Sequence, residues 1–414
     1  MPSVFLRVFV LGAMVLFAAS THAFEGTVVD AKTKQPLHGA SVTVGDLVAR
    51  TDKDGRFAIS ADGDLIRVRA PGYKRQDFAA TSLDQDAPEL ALAPFQVNAL
   101  YLSVFGIGDT KLRDGAIESL KANRMNSLVI DVKGDRGLIP FKVDIALAAQ
   151  TGAQKVITVK DMPALLSKLR EQGIYLIARI VVFKDDPLAG AKPEWAVSMK
   201  RGGPFRDREK LRWVDPFRKE VWDYNIAIAK AAAEAGFDEI QFDYVRFPDN
   251  KGAVFSQPAT EESRTRTITG FLQEARKALV PYNVVVTADI FGYVLWNTND
   301  TDIGQKIEPI LEAVDVVAPM LYPSGFQDGI PKYRNPVQHP YEVVLLSLKH
   351  ARERTNTTPV RFRPWLQAFR DYAFGGKAFN EQEMKTQVKA AEDFGAWGWM
   401  FWNPRNVYPK KFLD

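Results

Sequence analysis

Gly236-Phe-Asp-Glu-Ile-Gln-Phe-Asp-Tyr-Val-Arg-Phe-Pro248 alternates apolar and polar residues through its first half, as a strand does, and Pro248 cannot continue a ladder. Ahead of it, Pro216 to Ala235 reads as a helix closed by Gly236. A helix, a short turn and a strand that finishes on a carboxylate make the αβ step of a parallel α/β protein. In such folds chemistry sits at the carboxyl ends of the strands. Asp243 is therefore the first candidate for a catalytic residue.

Working outward, the same alternation of strand and helix patterns recurs. The strand candidates are Ala99–Phe105, Ser127–Val132, Tyr175–Val182, Phe237–Asp243, Val284–Ile290, Val314–Met320, Phe362–Ala368 and Ala396–Trp402. Helical patterns fall between them at Arg113–Asn123, Asp161–Gln172, Pro216–Ala235, Glu262–Leu279, Asp302–Glu312, Tyr341–Arg354 and Glu381–Phe394. Eight strands with intervening helices predict an α/β fold, a (β/α)8 TIM barrel over residues 95–414. A doubly wound sheet would favour a Gly-rich phosphate loop after its first strand, and Gly106-Ile-Gly108 is only a fragment of one.

The N-terminal part differs. Residues 1–23 read as a signal peptide, with Arg7, an apolar run from Val8 to Ala19, and Thr21-His-Ala23 as the cleavage site. The expected location is the periplasm or the extracellular space, without stable membrane insertion after cleavage. Residues 24–94 read as a small all-β sandwich, with short alternating segments split by Asp52-Lys-Asp-Gly55, Asp62-Gly-Asp64 and Pro71-Gly72. Ala87 to Phe95 reads as the linker to the barrel.

Composition narrows the chemistry. Of 414 residues 46% are hydrophobic, and the net charge of +4 does not argue for nucleic acid. There is no cysteine, hence no thiolate metal site and no thiol nucleophile. Only four histidines occur, so a His-based metal centre is not expected, nor is any cofactor.

Each barrel strand should deliver its last residue to one face. Asp131, Asp243 and Asp289 end strands two, four and five. Lys133, Arg179, Arg246, Tyr322, Trp365, Gln367, Trp402 and Asn403 accompany them as expected substrate-binding residues. Paired carboxylates among aromatic rings and amides suit the cleavage of a glycoside. One carboxylic acid protonates the leaving oxygen, and another carboxylate attacks the anomeric carbon or activates water. Asp243 is the expected nucleophile or base and Asp289 the expected general acid. Asp131 is a third carboxylate, expected to bind sugar hydroxyls or to exchange roles with the other two. Arg179 or Arg246 is expected to supply positive charge beside Asp243. Asp238 and Glu239 begin their strand and are not expected to be catalytic.

Several stretches carry a resemblance. Val129-Ile-Asp-Val-Lys-Gly-Asp-Arg-Gly137, Ile174 to Asp185, Trp213-Val-Asp-Pro216 and Gly236 to Pro248 resemble motifs of the DUF4015 glycosyl hydrolase domain family. That family is distantly similar to α-amylase-type barrels, where an Asp ending strand four is the nucleophile and a carboxylate ending strand five is the acid. The resemblance implies Asp243 and Asp289 in those roles. Gln241 stands where the amylase pattern has Arg, and Asp289 where it has Glu. Met320-Leu-Tyr322 also resembles a chitinase-like barrel, but Val245 stands where the chitinase acid would be. Gly26 to Asp30, Pro36 to Ala40, Thr51 to Phe57 and Ala70 to Tyr73 resemble the carboxypeptidase-regulatory-like sandwich, usually a non-catalytic accessory module. The expectation is an exported glycoside hydrolase acting on an envelope or extracellular polysaccharide. The alternatives are a carbohydrate-binding barrel without turnover and a transglycosylase.

Overall fold

The computed structural model describes residues 22–83 and 88–413, so nearly all of the expected signal segment lies outside the described residues. Eight parallel strands close into a barrel. Strand 1 is Val97–Leu102, strand 2 Ser127–Lys133, strand 3 Tyr175–Val181 and strand 4 Glu239–Asp243. Strand 5 is Val285–Phe291, strand 6 Val316–Met320, strand 7 Trp365–Gln367 and strand 8 Gly398–Trp402. Side chains alternate between two cores. Val97, Ala99, Val129, Ile177, Val285, Val316, Ala318 and Met400 fill the barrel interior. Leu100, Leu128, Ile130, Ala178, Ile180, Ile240 and Phe242 face the helices outside. Each fully buried aliphatic side chain contributes roughly 1.5–3 kcal/mol.

The helices start and stop where their caps dictate. Glu261–Ala278 opens on a Thr260/Ser263 capping box and Glu381–Phe394 on an Asn380/Glu383 box. Lys219–Ala235 stops at Gly236, whose φ of 112° suits glycine. Two expectations change. Strand 1 does not reach Phe105, because Ser103 accepts from the Gly106 amide and starts a short helix, Val104–Gly108. Within the expected linker, Glu89–Leu92 is a strand that pairs in parallel with His22–Asp30 and buries Leu90 and Leu92. Flanking Pro88 and Pro94 hide that alternation.

The N-terminal domain packs a three-stranded sheet on a four-stranded one around Val28, Val42, Ile66, Val68 and Leu92. It sits against the closed end of the barrel, where strands 4, 5 and 6 begin. Arg75 Nη2 donates to Asp238 Oδ1 at 2.9 Å. Arg69 donates from Nε to Asp315 Oδ2 and from Nη1 to Asn283 Oδ1, each at 3.2 Å. Arg276 Nη2 adds a 2.5 Å bond to Asp315 Oδ1. Burial pushes the Asp315 carboxyl up, but the Arg69 and Arg276 guanidiniums outweigh it and hold it well below the usual range.

Glu239 is wholly buried just inside this end. It pairs with Arg363 at 2.6 Å and accepts from Tyr175 and Thr287. Its bonds are all used within the scaffold, far from the ends of the strands that carry Asp243 and Asp289. Asp238 is likewise engaged, with Arg75, Arg170 and the Leu176 amide.

Candidate active site

At the open end, Arg179 of strand 3 gathers the carboxylates. Its side chain is 1% exposed. Nε and Nη2 donate to Asp243 Oδ2 at 2.9 and 2.6 Å, Nη1 to Asp131 Oδ1 at 2.7 Å, and Nη2 also to Asp135 Oδ1 at 2.8 Å. The guanidinium lies 4.7 Å from the Trp402 ring centre and 5.5 Å from that of Tyr101, and those two rings stack 3.9 Å apart. Five fixed N–H groups let one arginine serve several carboxylates at once. Arg179 pairs in register with Gln241 on strand 4. The positive charge that the amylase pattern places at position 241 is thus supplied from the neighbouring strand at the same height.

Asp243 accepts on its other oxygen from the Tyr244 amide at 2.5 Å. Tyr244 takes φ of 47°, a left-handed conformation that costs energy in a bulky residue and turns the chain sharply after strand 4. The Tyr244 ring meets the edge of Trp213 at 5.6 Å.

Asp289 differs from its neighbours. Oδ1 accepts from Trp365 Nε1 at 2.8 Å and from Gln241 Nε2. Oδ2 is buried with no hydrogen-bond partner in the protein. Burial, and then the Asp243 carboxylate, push the Asp289 carboxyl well above its ordinary value, outweighing the Gln241 bond and the Arg179 charge. A carboxyl raised in this way favours its protonated form, and Oδ2 is the oxygen left free to carry the proton. Burial also raises Asp131, to about 6 against the pull of Arg179, and Tyr101 donates to its Oδ2 at 2.7 Å. Two neighbouring carboxyls are thus shifted towards the acid form, the direction that a general acid needs.

Of the other expected residues, Tyr322 and Trp402 are half-buried at the rim. Burial, then the Asp243 and Asp289 carboxylates, push the Tyr322 hydroxyl well up. Trp365 lies in the floor as the donor to Asp289, fully buried rather than open for stacking. Lys133, Gln367, Asn403 and Arg246 do not take the expected positions. A bulge opposite Arg179 and Ile180 inserts Val132 into strand 2 and turns Lys133 out of the barrel. There it is wholly buried against Asp185 at 2.7 Å and lies over the Tyr224 ring. Gln367 is consumed by Ser324 and the Phe369 carbonyl, and Asn403 by the Ala368 and Val407 carbonyls. Arg246 bonds the Phe247 carbonyl and lies over Trp213 and Tyr244 instead of meeting Asp243. Tyr101 and Asp135 enter the site in addition. Tyr101 could have been found from the inward alternation Val97, Ala99, Tyr101. Among the described residues no cluster of three or more His, Cys, Asp or Glu is arranged to hold a metal ion.

Two insertions frame the mouth. After strand 3, Ala196 to Val214 forms an arm whose Ser198–Met199 pairs with Ala253–Val254 from the loop after strand 4. After strand 7, Phe369 and Tyr372 stack in parallel at 6.1 Å, with Tyr372 63% exposed. Strands 3 and 7 stand diametrically opposed in the barrel order. Burial and then Asp371 raise the Tyr372 hydroxyl, while the charge of Arg208 opposes them.

Comparison with known proteins agrees with this architecture. The family model described as "Putative glycosyl hydrolase domain" (DUF4015) matches residues 99–408, and that of the carboxypeptidase regulatory-like domain matches residues 23–93. No curated protein sequence matches the chain. Among solved structures, a hypothetical protein from Ruminiclostridium thermocellum is 37% identical, with 46% of this chain and 96% of that one covered and a TM-score of 0.41. The PgaB (BpsB) glycoside hydrolase domain from Bordetella bronchiseptica is 16% identical, with 76% and 95% covered and a TM-score of 0.53. Alpha-L-fucosidase isoenzyme 2 from Paenibacillus thiaminolyticus is 15% identical, with 76% and 47% covered and a TM-score of 0.50. The last two share the fold.

Proposed function

The chain belongs to the DUF4015 family of glycosyl hydrolase domains, and from that premise we propose that it is exported and cleaves O-glycosidic bonds of an envelope or extracellular polysaccharide. Asp289 is the general acid and Asp243 the nucleophile. The observation that carries this reading is the contrast between the two carboxyls. The Asp289 carboxyl is pushed up by burial and keeps one oxygen without a partner, whereas Asp243 is ion-paired to Arg179. Asp289 gives its proton to the glycosidic oxygen as the bond to the anomeric carbon breaks. Asp243 attacks that carbon, and Asp289, now a carboxylate, takes the proton from the water that releases the sugar.

Asp243 and Asp289 follow the paired Phe242 and Ala288 on neighbouring strands, so the two side chains enter the barrel at one level. Tyr322 and Trp402 offer ring faces at the rim for a sugar, and Asp131 and Asp135 offer acceptors for its hydroxyls.

The test is release of reducing ends from a panel of bacterial and plant polysaccharides by wild type, Asp243→Asn and Asp289→Asn. A loss of about a hundredfold or more in both, with folding intact, is expected. Asp289→Asn should release a burst of phenol from an aryl glycoside whose phenol leaves without protonation, and turn over when azide replaces water as the acceptor, whereas Asp243→Asn should do neither. Activity that survives in both variants would move the chemistry to other residues, Asp131 first. Retention of a polymer with no turnover by wild type would make the chain a binding protein.

A further inference from the structure

Between residues 192 and 212 seven Lys or Arg stand against three Asp or Glu. The fold sorts these charges. The arm makes two tight turns, closed by Met199 and Gly203 and by Asp207 and Leu211. Lys200 and Arg201 occupy the tip of the first, Arg208 and Lys210 the tip of the second, and all four are exposed. None of the four has an ion pair among the described residues. The acids beside them are already engaged. Asp207 accepts from Trp213 Nε1, and Glu209 pairs with Lys184 at 2.9 Å. The remaining arginines are tied to the base of the arm, where Arg206 and Arg212 meet Asp186.

The arm has a fixed position. Trp213 packs its edge on Phe205 and on Tyr244, the residue after Asp243. The Lys200 amide donates to the Gly252 carbonyl in the loop after strand 4. The free cations therefore stand on one lip of the mouth, with the exposed Tyr372 ring on the other.

We propose that this arm binds an anionic polysaccharide, one bearing uronate, sulfate or phosphate groups, and lays it across the mouth beside Asp243. The inference rests on the polysaccharide reading given above and narrows it by charge. Four unpaired cations on a braced backbone raise the local concentration of a polyanion over the cleft without the loop itself having to be ordered. The exposed aromatic opposite supplies the apolar face that stacks a sugar ring.

Affinity electrophoresis of the full chain through gels holding polygalacturonate, or neutral dextran at equal mass, tests the proposal without requiring turnover. Retention by polygalacturonate that fades with added salt is expected, with little retention by dextran. The variant with Lys200, Arg201, Arg208 and Lys210 all changed to Gln should lose about tenfold or more of that affinity. It should keep the wild-type melting temperature. A variant with Lys32, Lys53, Lys277 and Lys349 changed to Gln alters net charge equally and should be retained as wild type. Equal losses in the two variants would reduce the effect to net charge and overturn the proposal. So would unchanged retention in the arm variant, or retention by duplex DNA as strong as by the polysaccharide. Polysaccharide hydrolysis with no charge preference would sink this inference and leave the glycosidase intact. Arm-dependent retention with no hydrolysis of any polymer would do the reverse.

Discussion

Replacing Arg179 with Met removes the one cation that the carboxylates of the site share. Its four hydrogen bonds run to three acids, of which Asp131 and Asp243 have side chains 3% and 5% exposed and Asp135 31%. Breaking a buried ion pair by removing one partner costs about 3–5 kcal/mol, because the other charge stays behind without compensation. Asp135, closer to solvent, adds about 0–1 kcal/mol. The melting temperature should fall by on the order of 10 °C at neutral pH.

The loss should also depend on pH, with a defined sign. Asp131 already lies at about 6, above its ordinary 3.8, while Arg179 pulls it down. Without the guanidinium it rises further. A carboxyl whose folded pKa exceeds its unfolded one binds protons more tightly in the folded state, so stability is lost as pH rises through the folded value. The deficit should be full near pH 8 and smaller near pH 5. Urea unfolding of wild type and Arg179→Met at both pH values, followed by far-ultraviolet circular dichroism, measures it. A deficit equal at the two pH values, or below about 1 kcal/mol at the higher one, would refute the idea that Arg179 neutralises buried charge.

The closed end gives two further expectations. Asp315→Asn should cost about 3–5 kcal/mol at neutral pH by stranding Arg69 and Arg276. Because the Asp315 carboxyl is held below its unfolded value of 3.8, its contribution is complete above that value and fades as pH falls through the folded one. The gap between wild type and variant in urea midpoints should therefore close in strong acid, and a gap that persists there would contradict the assignment. Glu239→Gln alone should cost about 3–5 kcal/mol, whereas Glu239→Gln with Arg363→Met should cost less than the sum of the singles, since neither charge is left stranded. Additive losses in chemical denaturation would show that the pair is not coupled.

Much of this molecule is legible in its sequence because barrel strands are short and buried on both faces. Their apolar runs mark them, and their last residues fall at one end by geometry. Asp131, Asp243 and Asp289 converge for that reason. What sequence periodicity could not supply is whatever breaks the period or crosses the barrel. One extra residue, Val132, turns Lys133 from the cleft into the shell of helices. Gln367 ends strand 7 and Asn403 lies just past strand 8, yet loop carbonyls nearby consume their amides. Arg179 and Arg246 were equivalent candidates on paper. The pleat points Arg179 inward with Asp243, whereas the turn at Tyr244 carries Arg246 onto Trp213.

The attachment of the N-terminal domain has a mechanical consequence. Its arginines grip Asp238, Asn283 and Asp315, which stand one or two residues before strands 4, 5 and 6. The first two of those strands carry, at or near their ends, the two carboxyls of the proposed chemistry, and Tyr322 lies just past the third. Strand 4 has five residues, about 17 Å at 3.3–3.4 Å per residue. Over so short a rod, fixing the foot fixes the height of the tip. A slip of a single residue would swing Asp243 out among the helices and bring its neighbour inward. The sandwich thus serves as a footplate that sets the level of the two carboxyls from the far end of the barrel, out of the substrate's way.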